Sequence, residues 1–420
     1  MKCGVSQVCI TPAVGVELAG YAARQQPSIG IHDDLYVRGL YLEQEDERLL
    51  WLHADLIGFE REQVQRLRRA LAAELGLPER QLLFSAAHSH SGPATVRLRA
   101  AGTMDAGYLA ALDRHLAQAA REAVARPAEA TLYFGAGACH LGCDRRPPSP
   151  LSHTDPALPV LAFRRTDGAY AAVIANYAMH NVALSDENRH ISADVAGAAA
   201  RAIQDHLPGH PVVLFTNGGC GNVNPPAFSA DFGVMEQFGW RLASMVVYTA
   251  GTSATAYPAA ALASALATIE LPLTVLASAE VEREYQKGIS QGLPGSGFCD
   301  GVLRAYREWR DETLALLAAG RAPRSVPLDV QVVRLGPVSL VAVGAEVFSR
   351  LAAELRAAQG PHTYVIGYAN GDIGYLPPAA VYAEGGYEVD MAYVFYGNFM
   401  VAAGGFEQVR DRALELLRRL

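Results

Sequence analysis

Cysteine is scarce in this chain. Cys3, Cys9, Cys139, Cys143, Cys220 and Cys299 are the six in 420 residues, and they form no paired framework. That excludes a disulfide scaffold and fits reduced thiols. Cys139 and Cys143 flank His140 in a way that could make a metal knuckle, but no second Cys/His pair at finger spacing follows. No basic patch is dense enough to neutralise phosphates, and the formal charge is −8 with a pI near 5.9, so a nucleic-acid partner is excluded. The densest basic cluster, Arg66, Arg68 and Arg69, shares its helix with Glu60, Glu62 and Glu74 and reads as a solvated face. The start lacks a basic segment followed by an apolar stretch of signal-peptide length. Long apolar runs are also missing: stretches such as Ala256–Ala267 are interrupted and fall short of about 18 residues. These absences predict a cytoplasmic protein without stable membrane insertion.

What remains is ordinary globular composition, 50% apolar and 19% charged, in a chain long enough to bury a large core. Residues 2–10 and 35–57 read as strands, and Arg61–Leu75 has apolar residues at helical spacing, stopped by Gly76 and Pro78. Residues 81–87 form a strand running into His88-Ser-His-Ser-Gly-Pro93, and Ala171–Ala178 a strand ending at His180. Ser192 caps a helix to His206, and Pro211–Thr216 is a strand breaking into a loop to Pro225. Helices follow over 229–250 and 276–320, the latter interrupted at Gly292–Gly297, a lid or an ordinary loop. Strands Leu328–Leu335, Val338–Val343 and Thr363–Tyr368, a helix over 347–358 and a closing helix over 405–420 complete the chain. The expected fold is α/β, a mixed central sheet with helices on both faces and the site at the strand ends. It is expected as one domain over 1–420: 1–260 supply the main layers, and 261–420 complete the sheet and the site.

Four strand-like runs end in polar clusters, at His88/His90, His180, Asn222/Asn224 and Glu346, and a fifth leads to Tyr375. Such clusters can converge on one crevice. Two imidazoles and a carboxylate suit catalytic zinc with a position left for water. Each also has a plainer reading: a histidine hydrogen-bonded in a loop, a glutamate in a helix's first turn, two of eighteen tyrosines.

The motifs go further. Val8-Cys-Ile-Thr-Pro12, Gly20-Tyr-Ala22 and Gly30-Ile-His-Asp-Asp-Leu35 are similar to the start of the neutral (non-lysosomal) ceramidase family's catalytic domain. Ala87-His-Ser-His-Ser-Gly-Pro93 resembles that family's His-Thr-His-Ser-Gly-Pro signature. The resemblance runs along nearly the whole chain. It implies Zn²⁺ on His88, on His180 of Met179-His180, on Glu346 of Val343-Gly-Ala-Glu-Val-Phe348, and on Tyr375. It makes His90 a second histidine for proton transfer or substrate contact, Arg145 of Asp144-Arg-Arg-Pro147 an active-site arginine, and Tyr387 the oxyanion-stabilising tyrosine. Gly221-Asn-Val-Asn-Pro225 departs from the family's Gly-Asp-Val-Ser-Pro, putting Asn222 for its aspartate and Asn224 for its serine.

The reading that follows is a zinc hydrolase in which metal-activated hydroxide attacks an amide (N-acyl) carbonyl. His90, Tyr387, Arg145 and Asn224 assist. The two asparagines turn the expected substrate toward a soluble amide. Ceramide N-deacylation is the alternative, and an ester or lactone hydrolase or a non-catalytic zinc-binding relative are further ones. The partner is a small-molecule N-acyl compound, and a homo-oligomer is compatible with the sequence.

Overall fold

The computed structural model describes residues 1–292 and 299–420, so residues 293–297 of the Gly/Pro-rich break lie outside the described residues. Strands β1 (Lys2–Cys9), β2 (Tyr36–Gln44), β3 (Glu47–Ala54), β4 (Leu82–Ala86), β5 (Ala128–Ala138), β6 (Ala157–Arg165), β7 (Tyr170–Tyr177), β8 (Val212–Asn217) and β9 (Thr255–Tyr257) build a mixed sheet. Its order is β8-β7-β6-β5-β1-β2-β3-β4, with β9 beside β5. Only the outermost pairs, β8 with β7 and β3 with β4, are parallel. A second sheet runs β10 (Leu262–Pro272), β11 (Ser325–Leu335), β12 (Val338–Val343), β13 (Thr363–Ile366), with only its last pair parallel.

Side-chain alternation decides how the sheets stack, because successive residues of a strand face opposite ways. Leu40, Leu42, Trp51, Leu83 and Phe163 of the first sheet meet Val333, Leu335, Leu340 and Ile366 of the second. Each large side chain fully buried there contributes roughly 1.5–3 kcal/mol. The alternate residues Tyr41, Leu50, Leu52 and Phe84 pack under helices α1 (Arg61–Leu75) and α2 (Ala106–Ala125). Val160, Ala162 and Val173 pack under α3 (Asp194–His206) and α4 (Phe232–Tyr248). Beyond α5 (Ser278–Gln291) and α6 (Asp300–Ala318), α7 (Arg350–Gln359) and α8 (Gly405–Arg419) cover Val332, Val341 and Val343 on the second sheet's outer side. The layers are thus helix, sheet, sheet, helix. The α/β class and the helices on both outer faces are as expected, but residues 262–366 form a sheet of their own.

Helix α2 and strands β5 and β6 lie where no element was read. The helix buries mostly alanine (Ala119, Ala120 and Ala123 with Leu112 and Leu116), so its apolar stripe is faint in the sequence. It sits close because Gly4 and Gly39 have no Cβ: one on Gly4 would lie 2.0 Å from the Ala123 carbonyl oxygen. Asp105 caps it by accepting from the Tyr108 amide. Ser192 accepts from the Asp194 amide at 3.0 Å, although the capping position itself belongs to Ala193.

Two expectations are corrected. Arg68 is not on a solvated face. Its side chain is 2% exposed and pairs with the buried Asp329 of β11 at 2.9 Å, while Arg61 and Thr268 bond the same carboxylate. Glu346 does not open a helix either. Glu346–Val347 forms a short strand parallel to Tyr375–Leu376, and α7 begins only at Arg350. Among the described residues no helix is long and apolar enough to cross a membrane.

The fold's functional end is where strand termini meet. The first sheet's edge strands β4 and β8 converge, and the chain after β13 stitches them together: the Gly367 amide donates to Asn217 and the Asn370 amide to Phe84. Asn370 also accepts from the Phe84 amide and donates to Gln331 of β11. His88, His180, Cys220, Glu346 and Tyr368 all follow the carboxyl ends of these strands.

Candidate metal centre

His88 stands two residues past β4 in a left-handed conformation, φ 56°. That turns its ring inward, where Nδ1 donates to the Ile57 carbonyl at 2.8 Å. His180 leaves β7 and donates from Nδ1 to the Cys220 carbonyl at 2.7 Å. A carbonyl oxygen only accepts, so each Nδ1 carries the proton and each Nε2 presents a lone pair. Both lone pairs face Glu346, whose Oε2 lies 2.9 Å from His180 Nε2 and 3.5 Å from His88 Nε2. The carboxylate already has its donors: Tyr396 on Oε1, and Tyr368 at 3.3 Å on Oε2. The ligand atoms of His88, His180 and Glu346 lie within 4.8 Å of one another, all three residues buried. Acceptors crowded this way repel unless a proton or a metal ion sits among them, and histidines whose far nitrogen is fixed by a carbonyl are typical metal ligands. The donor set fits a divalent ion of zinc's type. Among the described residues Cys139 and Cys143 join no such group.

The titrations reflect the same demand for positive charge. Burial, opposed by the neighbouring Glu346, pushes the His88 imidazole down to about 4. Burial works against protonation of His180 too, yet Cys220 and Glu346 carry it to about 9, so that without an ion its Nε2 holds a second proton against Glu346 at 2.9 Å, in the place a metal ion would take. Despite burial, the imidazoles of His88 and His180 hold the Glu346 carboxyl well below its ordinary value.

The other expected residues gather here. His90 Nε2 is 3.1 Å from His88 Nε2, and burial, then His88 and His180, keeps its imidazole well below its usual pKa. Gly20 makes room for that ring, since a Cβ there would lie 2.2 Å from His90 Nδ1. Tyr375, placed opposite Glu346 by the two-residue ladder, brings its hydroxyl to 3.5 Å from His180 Nε2. Arg145 lies against the rings of Tyr375 and Tyr387, pairs with Glu388 at 2.8 Å and reaches Asn224 Oδ1 at 3.4 Å. All of these line a cavity of about 590 Å³ whose walls include Ile57, Leu98, Val182, Phe228 and Phe395.

Asn222 is different. Its amide donates to Asp144 and His153 and accepts from the Ser349 amide, so it ties three loops together outside the cavity. Asp194 likewise braces the chain after His180 by accepting from the Ala183 and Leu184 amides.

Tyr368 and Tyr396 were not foreseen. Tyr368 stacks on His88 with ring centroids 3.8 Å apart, and Tyr396 holds the carboxylate. Their only sequence signal is an aromatic residue after a strand. Tyr396→Phe is expected to lower metal affinity or turnover by roughly 10- to 100-fold, as loss of a ligand's hydrogen-bond partner does. A metal titration checks it, and unchanged affinity and rate would remove Tyr396 from the site.

Residues 1–230 match the family model described as neutral/alkaline non-lysosomal ceramidase, N-terminal. A neutral ceramidase of Pseudomonas aeruginosa is 27% identical over 247 residues, 53% of this chain and 36% of that protein's length. The crystal structure of neutral ceramidase from Pseudomonas aeruginosa superposes with a TM-score of 0.77 at 18% identity, covering 100% of this chain and 75% of the other. A solved ceramidase complexed with C2 gives 0.80 at 19%, with the same coverage. At those identities the two superpositions establish the fold.

Proposed function

Since the chain belongs to the neutral/alkaline non-lysosomal ceramidase family, we propose that it hydrolyses the amide bond of an N-acylated lipid amine, with ceramide the member its relatives favour. The observation that carries this is the buried convergence of the His88, His180 and Glu346 lone pairs on one point. A zinc ion held by these three residues, with Tyr375 beside them, would acidify water to a pKa of about 7 and polarise the amide carbonyl.

The chain's own groups do the rest. The neutral His90 imidazole can take a proton and pass it to the departing amine, help commonly worth about 10²–10⁴-fold. The Tyr387 hydroxyl donates toward the carbonyl oxygen as charge builds there, and one such donor is worth roughly 3 kcal/mol. Arg145 and Asn224 hold the substrate's polar part, and the apolar walls take the acyl chain.

A preference for small soluble amides finds less support. Asn222, one of the two residues that suggested it, is occupied by loop contacts, and the cavity offers apolar wall on a scale typical of lipid-like and drug-sized ligands. The test is turnover of fluorescent ceramide beside short N-acyl amines, before and after chelation and zinc return. Ceramide-type turnover that chelator abolishes and zinc restores is expected. A metal-loaded protein that cleaves no amide would overturn the proposal.

A further inference from the structure

Glu388 is a buried carboxylate on the cavity wall to which the chemistry above gives no role. Its two oxygens are gripped by consecutive residues of another loop. Arg145 Nε donates to Oε1 at 2.8 Å, and Arg146 Nη1 to Oε2 at 2.6 Å. Burial raises the carboxyl's pKa, but Arg145 and then Arg146 outweigh that and hold it below its ordinary value. A carboxylate kept charged in this way is a poor proton acceptor near neutral pH. What it holds matters more than what it could abstract.

The two loops it joins, 242 positions apart, each carry a residue of the proposed chemistry, and regular structure braces neither for long. Arg145 follows the two-residue strand Cys143–Asp144, which pairs with Val223–Asn224. Tyr387 opens the one-turn helix Tyr387–Asp390, entered through Gly385 and Gly386 at φ 65° and 101°. Arg146 Nη2 donates to the Gly385 carbonyl at 2.7 Å. The chain is thus tied to the arginine loop on either side of Tyr387. The bond at Nε also fixes the plane of the Arg145 guanidinium, which is rigid and flat. Held there, the guanidinium lies 5.5 Å from the Tyr387 ring and 5.2 Å from the Tyr375 ring, with the Tyr375 hydroxyl in hydrogen-bonding reach. The two rings meet edge to face, 5.6 Å apart. Because a cation attracts an aromatic face, Arg145 sets the tilt of Tyr387 beside Tyr375, whose hydroxyl stands at the triad.

Resting on the amidase reading above, we infer that Glu388 is a positioning residue: acting through Arg145, it holds the Tyr387 hydroxyl on line with the carbonyl oxygen where charge builds. Arg146 completes the clamp by binding the second oxygen of Glu388 together with Gly385. The benefit belongs to the transition state, because a donor turned off line loses most where the oxyanion forms.

The experiment is a double-mutant cycle on the zinc-loaded full chain, run with whichever of fluorescent ceramide and the short N-acyl amines is turned over fastest. Glu388→Gln keeps the side chain's size but leaves one acceptor oxygen for two arginines. Its kcat is expected to fall about tenfold, with KM and bound zinc nearly unchanged. In a Tyr387→Phe background the same substitution should cost no more than about twofold, since residues acting through one group are not additive. Should Glu388→Gln fold poorly, Arg146→Gln gives the same reading: a smaller fall in kcat, again absorbed by Tyr387→Phe. A merely structural clamp would slow both backgrounds alike, and a direct substrate contact would raise KM instead. Either result overturns the inference, as does a Tyr387→Phe enzyme with wild-type kcat, and all three leave the amidase reading standing. A zinc-loaded wild type that cleaves no amide overturns both.

Discussion

Glu346→Ala is expected to lose bound metal and turnover together, well beyond the roughly 10- to 100-fold produced by losing an outer hydrogen-bond partner of a ligand. The alanine leaves two imidazoles facing each other, strands the Tyr396 hydroxyl and leaves that of Tyr368 with Cys220 alone. A stranded buried hydroxyl costs about 1–3 kcal/mol, so the variant should also melt early. Glu346→Gln separates the two effects. Its amide nitrogen can donate to the His180 Nε2 lone pair while its oxygen still accepts from a tyrosine. The site is then satisfied without any ion. Metal should vanish while the melting temperature stays near that of chelated wild type. An ion present at 100 times its dissociation constant stabilises by about 2.7 kcal/mol, so chelation should lower the wild-type melting temperature and leave Glu346→Gln unmoved. Elemental analysis, calorimetry and rate measurement read all three. Full metal content and wild-type turnover in both variants would refute the ligand assignment.

Asp329→Ala carries the largest expected cost to stability. It leaves Arg68, 2% exposed and already short of partners at Nε and Nη2, as an uncompensated charge between α1 and the second sheet. Breaking a buried pair from one side costs about 3–5 kcal/mol, visible as a large drop in the urea midpoint. The exposed pair Arg121–Glu74, at 55% and 42%, serves as control, because Glu74→Ala should hardly move that midpoint. pH adds a second readout. Burial raises the Asp329 carboxyl, but Thr268, Arg68 and Arg61 outweigh that and hold it below its ordinary value. Its contribution is therefore complete above the unfolded carboxylate's pKa of about 4 and drains away as pH falls through the lower folded value. A wild-type midpoint in Asp329→Ala would mean that the pair contributes nothing.

The residues of the His88–His180–Glu346 cluster were more legible in the sequence than their setting. His88, His180 and Glu346 each end a conspicuous apolar run, and strand ends are where α/β sites form. Helix α1 was readable to the residue because Val64, Leu67 and Leu71 repeat at helical spacing before Gly76. Helix α2 was not, because alanine gives little contrast between buried and exposed faces. Arg68 read as a solvated residue because its partner lies 261 positions away, and a long-range ion pair leaves no local trace. Separation along the chain also hid Tyr396, fifty residues from the carboxylate it holds, among eighteen tyrosines. Asn222 and Asn224 stand two apart in one loop, yet the first is bound into neighbouring loops and the second faces the cavity. Only the fold separates them.

The triad draws its imidazoles from one sheet and its carboxylate from the other, across a buried seam rich in leucine, valine and phenylalanine. The ion would act as a rivet through both layers, and the layers in turn set how tightly it is gripped. A methylene added or removed deep in that seam, at Leu40 or Val333, would shift one plate against its neighbour. Affinity for the ion could then be tuned by residues that never come near it.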